Sequence, residues 1–429
     1  MPDFRSYFAN LDSPAPTQDG SRPYINFDNA ASTPPLAAAL KAVTDFVPWY
    51  ASVHRGAGYK SQVSTKAYED ARHSVLEFVG ADSHEYTTIF TANTTHALNI
   101  LAHRLGLYKT DVVLISHMEH HSNDLPWRAH ATVKRIKLTA AGEIDTDDYL
   151  RLLSFYGGRV KVVALTGASN VTGHTPDLAW FARQAHMVGA QFAVDAAQLV
   201  AHREVRMGRS GDPGRIDFLA FSAHKMYAPF GVGVLVARTD GLMRSAPLMP
   251  GGGTVDFVTK QEVDWASPPE RDEAGSPNVL GVMALVAAMR TLQSIGFSTI
   301  IKHELALVSH AFRALANVPG LTMYGDARPG RRVGVMAFTI DGLSHQYVAD
   351  ALAARGIGVR SGCFCAHPFV FSLLGANPGS IERVRRSIAV DDRIDTPGLV
   401  RISFGLYNTT DEIDAVAQAL HDLAAHRAA

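Results

Sequence analysis

The stretch Asp217-Phe-Leu-Ala-Phe-Ser-Ala-His-Lys225-Met-Tyr-Ala-Pro-Phe-Gly-Val-Gly-Val-Leu-Val236 decides the fold. It reads as two apolar runs, 217–221 and 231–237, joined by a short turn that carries one lysine. A low-dielectric setting between apolar strands lowers the pKa of a lysine and makes its amine nucleophilic toward an aldehyde. A lone lysine at a strand end is ordinarily just solvated, so the meaning of Lys225 depends on its neighbours.

Outward from that turn the same alternation recurs. Apolar runs at 87–91, 111–116, 160–166 and 191–194 are separated by helical patterns, legible at 67–79, 96–104 and 178–188. This rhythm predicts an α/β fold with a mostly parallel sheet covered on both faces by helices, and residues 25–285 are expected to form that large domain. From about Gly275 the pattern changes to a long Ala/Leu/Val-rich helix, then strands at 333–340 and 399–406 and helices at 346–355 and 410–425. Residues 286–429 therefore read as a smaller α+β domain. Residues 1–24, broken by Pro14, Pro16, Gly20 and Pro23, read as a loose arm over the surface. The stretch 371–397 shows no clear period and is expected to be a long excursion.

The chain has 429 residues, too many for one ordinary core. Its 47% hydrophobic and 19% charged residues exclude disorder. A formal net charge of -1 removes the positive field that binders of nucleic acid and anionic membranes carry, so a small-molecule substrate is expected, with no nucleic acid and no membrane. No apolar run approaches ~18 residues and the polar start lacks a signal-peptide pattern, which makes the cytoplasm the expected address. The only cysteines, Cys363 and Cys365, are separated by one residue, a spacing poorly suited to a disulfide between them.

In open α/β sheets ligands bind beyond the carboxyl ends of the strands. The run 87–91 is followed by Asn93-Thr94-Thr95 and a helix, an arrangement that suits a phosphate, although a simple N-cap explains it equally well when taken alone. The run 111–116 leads into His117-Met-Glu119-His120-His121, whose spacing matches no standard zinc pattern; no metal is expected. Ser169 and Asn170 follow 160–166, and Asp195, with Gln198 three residues on, follows 191–194. A carboxylate in so apolar a place requires a cationic partner. Joined to Lys225, these positions meet the requirements of pyridoxal phosphate: an amine to hold it as a Schiff base, a partner for its pyridinium, a ring to stack on it and a phosphate cradle.

Phe27-Asp-Asn-Ala-Ala-Ser, Met118-Glu-His-His-Ser-Asn, Asp195-Ala-Ala-Gln and Ser222-Ala-His-Lys together resemble the class V aminotransferase-fold enzymes, and among them the Suf-type group of cysteine desulfurases and selenocysteine lyases. The resemblance runs from about Tyr24 to Leu420. It implies the pyridoxal-phosphate-dependent transferase fold of type I, with Lys225 as the Schiff-base lysine, Asp195 as partner of the pyridine nitrogen and His120 stacked on the ring. It further implies that Asn170 and Gln198 address the ring hydroxyl, and that Thr94, Thr95, Ser222 and His224 hold the phosphate. Ser276 would reach in from a partner subunit, hence a homodimer. Arg401, with Arg360 and Ala30, would bind the substrate, Arg401 gripping its α-carboxylate.

Arg360-Ser-Gly-Cys-Phe-Cys365-Ala-His-Pro resembles the loop that carries the sulfur-accepting cysteine in these desulfurases, and the register puts that nucleophile at Cys365. The Cys-Phe-Cys pattern is also similar to molybdenum cofactor sulfurases. The implied reaction takes sulfur from L-cysteine, leaves it as a Cys365 persulfide for a sulfur-acceptor protein and releases alanine. His120 would carry a proton for the substrate thiol, and Arg360 and His367 would act as positive neighbours that activate the Cys365 thiol. A C–S lyase, a selenocysteine lyase, an aminotransferase, an epimerase, a kynureninase-like hydrolase and a silent scaffold remain alternatives on this fold. His96-Ala97 departs from the Glu-Gly common in the family, and 371–397 is longer than usual; both bear on substrate and acceptor.

Overall fold

The computed structural model describes residues 3–17, 20–242, 245–389 and 396–426. Its main feature is a seven-stranded sheet. In chain order the strands are β1 (Tyr86–Thr91), β2 (Val112–Ser116), β3 (Thr132–Ile136), β4 (Val160–Thr166), β5 (Gln191–Asp195), β6 (Phe218–Ser222) and β7 (Gly233–Arg238). They lie side by side as β1-β7-β6-β5-β4-β2-β3, and only β7 runs against the rest. Strands such as β2 and β6 are buried along their whole length, which is why they read as unbroken apolar runs. β3 was not expected from sequence. It is the edge strand, half-buried, and Lys134 and Arg135 interrupt its apolar pattern.

Helices pack on both faces, among them α1 (Tyr59–Phe78), α2 (Thr94–Arg104) and α3 (Leu178–Met187). Because β1, β2, β4, β5 and β6 are parallel, their carboxyl ends all open on one side of the sheet. The loops beyond them converge there.

The long apolar helix is α4 (Val279–Ile295), and α5 (Phe297–Leu315) leaves it at 80° across Gly296, whose φ of +83° favours glycine. Among the described residues no single helix is long and apolar enough to cross a membrane. A second sheet comes next: β8 (Leu321–Tyr324), β9 (Val335–Ile340), β10 (Arg360–Gly362) and β11 (Leu399–Ser403), antiparallel in the order β8-β9-β11-β10. Leu307, Phe338, Leu352 and Ile402 form part of its own core with α5, α6 (His345–Ala353) and α7 (Thr410–His426).

The expected division after residue 285 falls inside α4. Residues 25–28, expected in the large domain, join the later part of the chain: Ile25–Asn26 pairs with Ile357–Gly358 as a separate two-stranded sheet, and Asp28 bridges to Ser403 at the end of β11. The first residues are less loose than expected. Phe4 and Phe8 are buried, Phe4 against His303 and Phe8 between Tyr227 and Tyr407, and these aromatic anchors hold the segment down. Pro14–Thr17 and Gly20–Pro23 then pair as two short strands.

The expected excursion at 371–397 is partly helical. After the helix His367–Leu373, a second helix spans Pro378–Ala389, started by Asn377, whose side chain accepts the Ser380 N–H at 2.9 Å. None of its residues is buried, so the helical spacing of Ile381, Val384 and Ile388 was masked by the charges between them. Residues 390–395 of that stretch lie outside the described residues.

Candidate active site

A cavity of about 420 Å3 opens between the carboxyl ends of the large sheet and strands β10 and β11. Thr94 begins α2, and its N–H donates to Ser222 Oγ at 2.8 Å while the two hydroxyls lie 2.6 Å apart. Thr95 Oγ1 lies 2.6 Å from Ser122 Oγ. Asn93 caps the helix, its side chain accepting the His96 N–H and its carbonyl the Ala97 N–H, so the positive end of the helix lies beside the hydroxyl-bearing residues Thr94, Thr95, Ser122 and Ser222 that line the cavity. This packing requires Gly233 in β7. A Cβ there would come 2.4 Å from Asn93 backbone atoms.

Lys225 follows β6 and lines the cavity. Burial pushes its pKa down to about 8, Asp195 opposing the shift and Arg401 adding to it. Asp195, the last residue of β5, is buried; its Oδ1 accepts the Ala197 N–H at 3.0 Å, and burial raises its pKa. His120 lines the cavity beside them, and burial first, then Lys225, hold its pKa down at about 3. The Ser122 N–H donates to His120 Nδ1 at 3.1 Å, so the neutral ring carries its proton on Nε2. His120 is therefore a hydrogen-bond donor and a poor base, which narrows the proton-carrying role expected of it. His224 is likewise neutral, its pKa pushed down to about 4 by burial and Lys225.

The other members of the histidine-rich stretch disperse. His117 lines a separate groove with Arg135 and Lys137, and His121 Nε2 pairs with His367 Nδ1 at 3.2 Å. Glu119 is buried against Ser116 and Asn123, and burial pushes its pKa up to about 8.

The far side of the cavity is built from the second sheet. Arg401 on β11 stands opposite Arg360 on β10. Arg401 Nη1 donates to the Asn170 carbonyl at 3.0 Å and Nη2 to Asp28 Oδ1 at 3.1 Å, and the guanidinium lies 4.8 Å over the Phe364 ring. Asn170 Nδ2 donates to the Phe364 carbonyl at 2.7 Å. Gln198 Nε2 donates to the Ala30 carbonyl and Ala30 N–H to Ser403 Oγ, so Ala30 offers the cavity its methyl group and no free backbone polar group.

Phe364 and Cys365 both have left-handed backbone, with φ of +52° and +54°. Tethers from three directions hold this turn: Asn170, Arg401, and the His121 N–H that donates to the Cys365 carbonyl at 2.8 Å. The turn sends the two cysteines opposite ways. Cys365 is exposed on the cavity, whereas Cys363 is buried, its thiol donates to the Pro397 carbonyl at 3.2 Å, and burial pushes its pKa up to about 11. The positive neighbours expected for Cys365 are engaged elsewhere: Arg360 with Asp28, and His367 with His121, its pKa lowered by burial.

The model of the class-V aminotransferase family matches residues 25–416. The chain belongs to that family. A probable cysteine desulfurase of Halalkalibacterium halodurans is 35% identical over 93% of this chain and 92% of that protein, and a cysteine desulfurase of Dickeya dadantii is 36% identical over 93% and 92%. Among solved structures, apo cysteine desulfurase from Thermococcus onnurineus matches with a TM-score of 0.82 at 31% identity, covering 94% of this chain and 95% of that one. The Escherichia coli cysteine desulfurase CsdA matches with a TM-score of 0.80 at 30% identity, covering 99% and 98%. These neighbours carry the type I fold of the pyridoxal-phosphate enzymes, as the sequence implied.

The residues of this class-V chain fit pyridoxal phosphate: a buried amine with a lowered pKa, a buried carboxylate for a protonated ring nitrogen, a neutral flat imidazole and a hydroxyl-lined helix start share one cavity. All the expected site residues line it except Ser276. Ser276 and His96 line a neighbouring cavity of about 240 Å3. Asp28, Asn93, Ser122 and Phe364 were not singled out from sequence. Asp28, Ser122 and Phe364 stand inside quoted motifs, and Asn93 precedes the threonines, so position alone could have flagged all four.

Proposed function

We propose that this chain is a pyridoxal-phosphate-dependent cysteine desulfurase that takes sulfur from L-cysteine, leaves it on Cys365 as a persulfide and releases alanine. The observation that carries the reading is one exposed thiol, Cys365, on the cavity that also holds Lys225 and Arg401. A transaminase has no use for a thiol in that position.

In this reading Thr94, Thr95, Ser222 and His224 hold the phosphate, Asp195 the pyridine nitrogen, His120 the ring face, and Asn170 and Gln198 the ring hydroxyl. When bound, the cofactor supplies an aldehyde that condenses with an amine and a ring that takes up electrons released at the substrate Cα. Arg401 holds the α-carboxylate, with Arg360 and the Ala30 methyl beside it. Lys225 Nζ takes the Cα proton as the neutral amine, a form that its lowered pKa of about 8 brings within reach of neutral pH. His120 donates a hydrogen bond from its Nε2–H to the substrate and stays neutral throughout. Cys365 Sγ loses its proton to solvent and attacks the substrate sulfur: the S–S bond forms as the C–S bond breaks, the C–S electron pair stays on the substrate Cβ, and Cβ takes up a proton to become the methyl group of alanine.

Because Cys365 is exposed, a thiol of an acceptor protein can reach the persulfide. The proposal includes a homodimer in which Ser276 serves the partner's site. It also includes a division of the chain into an arm, a large unit that carries the cofactor end and a small unit that carries Arg401 and Cys365.

The test is product analysis with L-cysteine. With a thiol reductant, alanine and sulfide should appear in equal amounts; without it, alanine should stop at one equivalent per site. Pyruvate and ammonia in place of alanine would overturn the reading in favour of a lyase.

A further inference from the structure

Arg360 and Arg401 are cross-strand partners on β10 and β11, and like charges placed directly opposite each other repel. One carboxylate offsets that repulsion. Asp28 receives Arg401 Nη2 on Oδ1 at 3.1 Å, and on the other side receives Arg360 Nη2 on Oδ2 at 2.7 Å and Arg360 Nε on Oδ1 at 3.3 Å. The Arg401 side chain is 3% exposed, Asp28 21% and Arg360 50%, so the bridge runs from the buried arginine to the solvent-facing one. Arg401 is not saturated by these contacts. Its buried Nε has no hydrogen-bond partner, which leaves a donor beside Nη2 for a second carboxylate.

We propose that Asp28 is a resident carboxylate in the substrate-carboxylate subsite, held between Arg360 and Arg401 while the site waits and displaced from Arg401 when an amino acid enters. Asp28 thereby sets substrate affinity. The inference rests on the reading of Arg401 as the carboxylate-binding residue. Without substrate, Asp28 neutralises a buried guanidinium, whose pKa burial lowers to about 10 and Asp28 raises. With substrate, Arg401 Nε and Nη2 are free to form a two-point pair with the incoming carboxylate, and Asp28 stays on the exposed Arg360. The cost of entry is the Arg401–Asp28 contact plus the repulsion between two carboxylates.

Removing the Asp28 charge should therefore tighten binding, the opposite of what damage to the site does. In Asp28→Asn holoenzyme, the dissociation constant for L-alanine, read from the change in cofactor absorbance on titration, should fall about tenfold. KM for L-cysteine should fall with it while kcat changes less. Asp28→Glu, which keeps the carboxylate, should return both toward the parent values. Should Asp28→Asn fail to fold because the two arginines repel, the comparison moves to Arg360→Gln, where Asp28→Asn added on top should still tighten L-alanine binding. Unchanged or weaker binding in the neutral variants, with cofactor content normal, overturns the proposal. The L-alanine titration does not depend on sulfur release, so a chain that frees no sulfide from L-cysteine would fail as a desulfurase while this contrast could still hold or fail by itself.

Discussion

At one end of the cavity Lys225, Asp195 and Thr94 sit at or just past the carboxyl ends of β6, β5 and β1. At the other end Arg401, Arg360, Asp28 and Cys365 are held by contacts between segments far apart in the chain: Asp28 meets Arg360 across 332 positions and Arg401 across 373. The first end is fixed by sheet geometry, because parallel strands deliver their ends to one line. The second is fixed by side-chain tethers on a left-handed turn. Chemistry common to a family can rest on the first kind of construction, and substrate choice can be altered at the second without disturbing the sheet.

The contrast predicts different failures at the two ends. Lys225→Ala should lower turnover by about 10^3-fold or more, since in the proposed reading this buried amine holds the cofactor and moves the Cα proton. Borohydride reduction of the parent, followed by peptide mass analysis, should find the cofactor attached to Lys225 and nowhere else. Cys365→Ser should abolish sulfide release yet leave the absorbance change on adding L-cysteine, because the cofactor end is built without it. Sulfide release that survives this substitution would place the sulfur-accepting group elsewhere.

Legibility in the sequence divides along the same line. Strand ends are local, so Lys225, Asp195, His120 and the Thr94-Thr95 turn could be read from apolar runs and the residues just past them. The Asp28 bridge could not, because its partners are joined only by the packing of residues 25–28 against the later part of the chain. The missed elements also have physical reasons. β3 lies at the sheet edge with basic residues in it, and the helix Pro378–Ala389 buries none of its residues. A period search keyed to buried faces passes over both.

The cofactor end can be probed by pH. Burial lowers Lys225 from the ordinary 10.5 to about 8, so its amine is neutral above about pH 8. Cofactor uptake by the apoprotein should quicken about tenfold per pH unit up to about 8 and then level off, since only the neutral amine attacks an aldehyde. A rise continuing to pH 10 would show an ordinary, solvated lysine. The linked stability has the same sign. The unfolded chain holds this proton up to about 10.5 and the folded one only to about 8, so this group makes the apoprotein more stable as pH rises between those values.

Gly233→Ala tests whether sheet geometry alone places the phosphate turn. The added Cβ meets Asn93 backbone, which cannot give way as a flexible side chain would. The expected loss is about 1–3 kcal/mol of stability, by urea unfolding, with weaker retention of the cofactor on dialysis. Parent-like cofactor retention in a folded variant would show that the turn is not set by this close approach.

The smallest effect is expected at Cys363, and it separates the two cysteines most sharply. Cys363 and Cys365 are two positions apart, yet the left-handed residues Phe364 and Cys365 turn one thiol inward and leave the other on the cavity. The inward thiol already donates to the Pro397 carbonyl, and its pKa of about 11 keeps it protonated at neutral pH, so it is not a nucleophile. A serine at 363 keeps a donor for Pro397 and gives up part of the buried volume. Cys363→Ser should therefore lose about 1 kcal/mol of stability, and sulfide release should stay within about threefold of the parent. Mass analysis after L-cysteine and before any reductant should find the extra sulfur on the peptide's Cys365 in both proteins. Loss of that sulfur in Cys363→Ser, with stability unchanged, would mean that the buried thiol takes part in the transfer, and that the tethered turn opens during the reaction.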